Sequence, residues 1–233
     1  LKTPLDLSFT GIIRDMLDKP ELKFEKLVPQ KSASVADNMA MIPQIKRHDI
    51  LLSYPYETIK PFIQLLNEAA NDSRVTEIKI TLYRLAKNSM VIDALCDAAE
   101  NGKQVTVLVE LRARFDEENN INWSRRLQEA GCHIMYGPRE LKVHSKLLLI
   151  TRQNNGKTEY ITQVGTGNYN EKTSTLYTDL SLMTANQDIG NEAQLLFEAL
   201  MENRLIEQSQ HLLIAPLCLQ NKVLEMIEEE ITH

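Results

Sequence analysis

The stretch LKVHSKLLLI, residues 141–150, combines three basic side chains with a run of apolar residues. Its alternation predicts a strand, in which residues two apart share a face at a spacing of roughly 6.6 Å. Lys142, His144 and Lys146 would then line one face, and apolar side chains the other. Burying three such groups without an anion is costly, so the pattern predicts an anion site. The alternative is the exposed face of an edge strand.

The histidine in this stretch has a chemistry suited to phosphorus. Because a cation stands on each side of it, the imidazolium form of His144 is disfavoured, and we expect a neutral ring at pH 7. A neutral imidazole has a lone pair that attacks phosphorus, while the flanking lysines offset the developing negative charge. The competing interpretation is a structural histidine that is hydrogen-bonded within the core or at an edge.

Strands and helices alternate along the rest of the chain. TEIKITLYR (76–84) has strand alternation, SMVIDALCDAAENG (89–102) has the spacing and caps of a helix, and KQVTVLVELRAR (103–114) indicates a central strand. This order predicts an α/β fold with a mixed, mostly parallel sheet and helices on both faces. Ligands bind such sheets beyond the carboxyl ends of the strands, where Arg84 and Arg114 are predicted to lie.

Composition limits the classes of protein that remain. The chain has 233 residues, 43% of them hydrophobic, and a net charge of −6, which disfavours a general nucleic-acid coat protein. Its three cysteines have no CxxC spacing, so we expect a reducing compartment and no zinc site. No apolar run reaches the ~18 residues of a membrane span. The first residue is not Met, and we expect both ends to be cut points of a longer or processed protein.

A second stretch, VGTGNYNEKTSTLYTDLSL (164–182), strengthens the phosphate interpretation. Its glycines allow close approach of the backbone to a ligand, and the Asn168 amide is a donor for an oxyanion. The combined pattern, H-x-K followed by G-T-x-N, resembles the catalytic motif of the phospholipase D superfamily. That superfamily usually has Asp five residues after the Lys, whereas this chain has Thr151, which disfavours an ordinary phosphodiesterase.

Longer blocks resemble the polyphosphate kinase family of the phosphohistidine type, over about residues 36–230. The blocks are HDILLSYPYETI (48–59), ITLYRLAKNS (80–89), VTVLVELRARFDEENNINW (105–123), LKVHSKLLLI (141–150) and GTGNYNEKTSTLYTDLSL (165–182). The resemblance implies a phospholipase-D-like catalytic domain at 46–205. Residues 1–45 would be a lead-in segment from a preceding domain, and 206–233 the helical start of a following C-terminal domain. From the sequence itself, the four prolines of the lead-in segment predict a few short strands or turns, and the tail from Ile189 onward is predicted to be mostly helical.

The resemblance also implies a role for each matching residue. His144 would accept the terminal phosphoryl group of ATP and pass it, reversibly, to the end of a polyphosphate chain. The residues implied to hold phosphate or nucleotide are Lys146, Asn168, Lys142, Arg84, Arg114 and Tyr177. Without the resemblance, the arginines are equally compatible with surface ion pairs, Asn168 with a turn and Tyr177 with helix packing. Asp179 and Glu171 are candidates for orienting His144 or a lysine, and a solvated carboxylate is favoured for Glu171.

Cofactor and partners follow from the same resemblance. Mg²⁺ is expected near Arg84 and Arg114 through the nucleotide phosphates, with no direct protein ligand, because a guanidinium has only donors. The implied partners are ATP or ADP and inorganic polyphosphate, with no nucleic acid. A homo-oligomer is implied for the full-length protein, in the cytoplasm or peripherally on a membrane. The alternatives are a phosphodiesterase acting on phospholipid or nucleic acid, and a non-catalytic scaffold.

Overall fold

A computed structural model provides the structure of the protein. It describes residues 6–17, 19–25, 27–83, 85–86, 88–110, 117–137 and 141–233, apart from the side chains of 117–120. The strands are β1 (Ile50–Tyr54), β2 (Val75–Leu82), β3 (Gln104–Val109), β4 (His133–Tyr136), β5 (Lys146–Asn154), β6 (Lys157–Gly165) and β7 (Asp179–Thr184). The helices are α1 (Phe9–Met16), α2 (Met41–Ile45), α3 (Lys60–Asn71), α4 (Met90–Glu100), α5 (Glu117–Glu129), α6 (Gln187–Met201) and α7 (Leu219–Thr232).

The seven strands form one mixed sheet in the order β1-β7-β6-β5-β2-β3-β4. The prediction of a mixed α/β fold is confirmed, but the expectation of a mostly parallel sheet is wrong. Only β2–β3 and β3–β4 pair in parallel within the described chain, and the other neighbours are antiparallel.

A tight hairpin between β5 and β6 is one reason why part of the sheet is antiparallel. Asn154 pairs with Lys157, and between them Asn155 and Gly156 both have positive φ, at 51° and 75°. Two central residues with positive φ form the turn that suits the twist of an antiparallel pair, and Asn-Gly is the sequence that favours it. The expectation of a mostly parallel sheet rests on strand–helix alternation alone, which does not take this dipeptide into account.

Strand β5 is buried on both faces. Leu148 and Ile150 face the main core with helices α3 and α4, whereas Leu147 and Leu149 face a smaller cluster that includes Phe197 of α6. Helices therefore cover both faces of the sheet, as predicted. Because β5 lies between β6 and β2 and is covered on both sides, the edge-strand alternative does not hold for it.

Local sequence signals place two helices correctly. The Oγ of Ser89 accepts a hydrogen bond from the backbone N–H of Val91 at 3.2 Å, which makes Ser89 the N-cap of α4 as predicted. Gly102, with φ of +79°, follows the end of this helix. Pro61 lies in the first turn of α3, where its missing N–H leaves no intrahelical bond unmade.

The two ends of the chain are more helical than the interior. Residues 1–45, for which short strands or turns were expected, contain α1, α2 and a 3₁₀ turn at Pro20–Leu22 in their described part. Strand β1 was not predicted. The helical tail is confirmed by α6 and α7, but the assignment of 206–233 to a following domain stays a prediction. No described helix is both long enough and apolar enough to cross a lipid bilayer.

Candidate functional site

The segment before β5 carries His144. The strand begins at Lys146, so Lys142 and His144 lie in irregular chain before it, and the expectation that His144 is within a strand is wrong. The side chain of Thr81 on β2 explains where the ladder stops. Its Oγ1 donates to the carbonyl of Ser145 at 2.8 Å and accepts from the N–H of Leu147 at 3.1 Å, replacing backbone pairing on that side.

A second contact fixes the chain on the other side of His144. The carboxylate of Glu110, buried just after β3, accepts a hydrogen bond from the N–H of Val143 at 3.0 Å. Gly137, just after β4, allows this approach, because a Cβ there would lie 2.7 Å from Cγ2 of Val143. The side chain of His144 is exposed, whereas the backbone on either side of it is held at Val143 and Ser145.

The three basic side chains meet at the ring of Tyr83, the residue directly after β2. The imidazole of His144 lies 5.0 Å from the Tyr83 ring, centroid to centroid, with the two planes nearly perpendicular at 84°. The Nζ atoms of Lys142 and Lys146 lie 6.0 and 5.7 Å from the same ring centroid. The three basic residues lie together as their spacing predicts, whereas Tyr83 was not predicted, because its only signal in the sequence is its place at the end of a predicted strand.

Lys146 differs from the other two in being buried. Its side chain is 5% exposed, and its ammonium donates a hydrogen bond to the backbone carbonyl of His144. Burial lowers the pKa of Lys146 to about 8, against the opposing attraction of Asp179. An anion bound beside this ammonium would restore its preference for the charged form.

The loop after β6 presents Asn168. The side chain is half-buried, and its Oδ1 atom is buried without a hydrogen-bond partner in the described structure. Turning the amide by 180° presents its NH₂ group instead, which offers two donors for a phosphate oxygen. The following residue anchors the loop, since the buried Tyr169 stacks on Phe62 at 4.8 Å and its hydroxyl donates to Gln163.

The two carboxylates of this region have separate roles. Asp179 at the start of β7 accepts a hydrogen bond from the Thr166 hydroxyl at 2.8 Å and acts on Lys146 through its charge. Gly167 passes so close that a Cβ there would lie 2.4 Å from the Asp179 carboxylate. Glu171 accepts from the N–H of Met90 at 2.7 Å, so it caps the start of α4, and the favoured interpretation as a solvated carboxylate is wrong.

The remaining predicted residues are not part of this cluster as described. Tyr177 lies between a 3₁₀ turn (Thr173–Thr175) and β7, and is 63% exposed. Arg84 and Arg114 lie outside the described residues, so their predicted positions at strand ends stay predictions. In the part of the chain that is described, no three His, Cys, Asp or Glu side chains come together in a way that would hold a metal ion.

Two cavities lie elsewhere in the described structure. One cavity of about 310 Å³ is lined by residues 33–36 and parts of α2 and the turn after it. Another, of about 520 Å³, is lined by the β5–β6 hairpin and its neighbours, at the end of the sheet opposite Lys146. Neither cavity is lined by a residue of the cluster.

Comparison with known proteins gives one family. A model described as polyphosphate kinase C-terminal domain 1 matches residues 40–206. The polyphosphate kinase of Bacillus anthracis is 43% identical over 91% of this chain and 30% of its own length. The polyphosphate kinase of Halalkalibacterium halodurans is 43% identical over 99% of this chain and 33% of its own length. The chain thus spans about a third of these relatives.

Solved structures agree with this family. The crystal structure of polyphosphate kinase from Porphyromonas gingivalis matches with a TM-score of 0.80 and 39% identity, covering 91% of this chain and 36% of that one. A phospholipase D family member, Nuc from Salmonella typhimurium, matches with a TM-score of 0.52 and 14% identity, over 66% of this chain and 92% of the other. At that identity the second match shows a shared fold and no more.

Proposed function

The chain belongs to the polyphosphate kinase family, and we propose that its His144 accepts and donates the phosphoryl group. In the proposed reaction, the terminal phosphoryl group of ATP moves to His144 and then to the end of a polyphosphate chain, and the reverse sequence makes ATP. The observation that carries the proposal is the convergence of Lys142, Lys146 and the exposed His144 on one aromatic ring.

The proposed transfer has two in-line steps. In the first, the lone pair of the neutral imidazole attacks the γ-phosphorus, the bond from that phosphorus to the bridging oxygen breaks, and ADP leaves. In the second, a terminal oxygen of polyphosphate attacks the phosphorus, and the bond to the imidazole nitrogen breaks. Splitting one difficult transfer into two easier ones is the usual gain from a covalent intermediate.

Cations around the ring supply the electrostatic part of the proposal. Negative charge on the transferring group is offset by the ammonium groups of Lys142 and Lys146, and an ammonium shielded from water stabilises charge more strongly than an exposed one. Lys146 is buried, so we assign it the larger effect. Asn168 would donate a hydrogen bond to another phosphoryl oxygen through its NH₂ group, once the amide is turned so that this group takes the unpartnered position of Oδ1.

Nucleotide and metal binding complete the proposal. Arg84 and Arg114 would bind the nucleotide phosphates, and Tyr177 the remainder of ATP. Mg²⁺ would arrive as part of the nucleotide substrate, because the described side chains around His144 are mainly cationic and include no cluster of metal ligands. When bound, the ion would neutralise part of the phosphate charge. The proposed partners are ATP or ADP and polyphosphate, and oligomerisation of the full-length protein also stays a proposal.

Labelling with ATP tests the proposed function. Incubating the chain with Mg²⁺ and ATP labelled at the γ-phosphate should give a protein-bound label that is labile in acid and stable in base. The label should be absent in His144→Ala. Because the chain spans about a third of its relatives, we expect it alone to form little polyphosphate. A base-labile label, or a label that persists in His144→Ala, would contradict the proposal.

Nuclease or phospholipase activity without ATP is the competing outcome. It would favour the phosphodiesterase alternative that the fold alone allows. Thr151, which stands where the phospholipase D superfamily usually has Asp, is 9% exposed and donates weakly to Glu77 at 3.5 Å. This position therefore faces a half-buried carboxylate on β2 and is not part of the cluster around His144.

A further inference from the structure

We propose that Tyr83 is the positioning residue of the site, a role that rests on the proposed function of His144. In this proposal the aromatic ring, and not the hydroxyl group, sets the orientation of the imidazole and holds the two lysine ammonium groups beside it. Tyr83 acts through these three side chains and does not itself touch the phosphoryl group.

The first support is the arrangement of charge. Two ammonium groups near one another repel, and a lysine side chain has many rotamers, so a contact that attracts both ammonium groups stabilises their arrangement. The face of an aromatic ring carries partial negative charge and attracts cations within about 6 Å. The Nζ distances of 6.0 and 5.7 Å from the Tyr83 centroid place both ammonium groups at that range.

The second support is the orientation of the imidazole. Hydrogen bonds to Glu110 and Thr81 fix the backbone at Val143 and Ser145, on either side of His144. Rotation about the side-chain bonds of the exposed His144 would change the direction of its imidazole. The perpendicular contact with Tyr83, at 5.0 Å between centroids, is a preferred geometry for two aromatic rings and limits that rotation.

Tyr83 is itself held firmly enough to act as a reference. It follows directly on β2, whose last residues are buried and pair in parallel with β3. The neighbouring Thr81 joins β2 to the chain before β5. The backbone that carries the ring is therefore anchored to the sheet.

Labelling with phosphoramidate tests this role without any nucleotide. The imidazole nitrogen displaces ammonia from the phosphorus of phosphoramidate, so the reaction reports on His144 and its lysines alone. We expect Tyr83→Phe to be labelled within twofold of the unchanged chain, and Tyr83→Leu at least tenfold more slowly. Tyr160→Leu is the matched control, because Tyr160 is also half-buried but packs on Gly190 of α6, away from the site.

The outcomes separate the two proposals. Equal labelling of Tyr83→Leu and Tyr83→Phe would overturn the positioning role while leaving His144 as the phosphorylated residue. Slow labelling of Tyr160→Leu as well would also overturn it, since general loosening of the fold would then explain the loss.

A second measurement does not depend on phosphorylation at all. The ring current of Tyr83 should displace the NMR signals of the His144 ring from the values of an exposed histidine. Tyr83→Phe should keep this displacement and Tyr83→Leu should lose it, with unchanged signals elsewhere in the chain. Unchanged His144 signals in Tyr83→Leu would overturn the positioning role, even if the chain were never labelled by phosphoramidate or ATP.

Discussion

Two buried cations lie on the same strand, six residues apart, and their surroundings differ. Arg152, near the end of β5, is 3% exposed and forms ion pairs with Asp72 and Glu159, each at 2.9 Å. Lys146, at the start of β5, is 5% exposed, and its ammonium contacts a carbonyl. No carboxylate of the described structure lies within ion-pair distance of it, and Asp179 acts on it only through its charge.

The difference separates structural from functional charge. A buried cation with two carboxylates is satisfied, and removing it leaves those carboxylates uncompensated. A buried cation without a carboxylate is destabilising until an anion arrives. The desolvated ammonium of Lys146 lies at the end of the strand next to His144. A desolvated cation in such a place is the pattern expected for a phosphate site.

Removing Arg152 should give the largest effect. Arg152→Met removes the shared partner of the half-buried Asp72 and Glu159. Only Arg74 and Lys46 then remain as their cationic partners in the described structure. We therefore expect the free energy of unfolding to fall by about 3 kcal/mol, the low end of the range for a broken buried ion pair, measured by urea denaturation.

Lys31→Met is the control, since it breaks an exposed ion pair with Asp37 and should cost less than about 1 kcal/mol. Similar losses of unfolding free energy in Arg152→Met and Lys31→Met would contradict the structural role assigned to Arg152.

Removing Lys146 should separate activity from stability. We expect Lys146→Met to slow labelling of His144 by roughly 10²–10³-fold, the range found for one lost charge-stabilising donor. Its stability at pH 7 should be unchanged or higher, because a desolvated ammonium is replaced by an apolar chain of similar length. Lys157→Met, at the opposite end of the sheet, should leave labelling unaffected. Strong destabilisation of Lys146→Met would show that Lys146 is a structural cation like Arg152.

Alkaline pH offers a finer test of the same ammonium. The pKa of Lys146 is lowered by burial to about 8 from the ordinary 10.5, so between these values the unfolded chain binds more protons than the folded one. The free energy of unfolding should therefore rise with pH across this window, by on the order of 3 kcal/mol at most. Lys146→Met should lack that rise in pH-dependent denaturation. A falling or identical profile would contradict the assigned pKa.

The smallest expected effect is a change of stability at acid pH, caused by Asp72, the partner of Arg152. Burial raises the pKa of Asp72, but hydrogen bonds from Arg74 and Arg152 outweigh burial and hold the pKa at about 2. Its contribution is present above about pH 4 and is lost as pH falls through 2, by roughly 2 kcal/mol. Asp72→Asn should flatten this part of the stability profile. An unchanged acid profile in Asp72→Asn would mean that other carboxylates dominate.

The sequence predicted those features that depend on nearby residues. Helix α4 follows from the Ser89 cap and its apolar spacing, and the grouping of Lys142, His144 and Lys146 follows from their separation by single residues. Both are properties of a short stretch of chain, which periodicity captures. The resemblance to longer blocks then supplied the family, which residues 40–206 confirm.

What the sequence did not predict depends on distant partners. Thr81 ends the β5 ladder from 64 residues away, and Asp72 pairs with Arg152 from 80 residues away. The predicted parallel direction of the strands was wrong for β5 and β6, because the hairpin at Asn155–Gly156 makes these two strands antiparallel. The alternation of strands and helices carries less direct information about direction. Tyr83 was missed because no periodicity marks a residue as the place where three others meet.

The hairpin between β5 and β6 has a practical use. Strand β5 ends at Asn154, just before the tip and eight residues beyond Lys146, a distance of roughly 27 Å along an extended strand. A cysteine introduced at exposed Gln153 or Lys157 would let a fluorophore or a solid support be attached there. Single molecules immobilised by this tip would present the His144 surface to the surrounding solution.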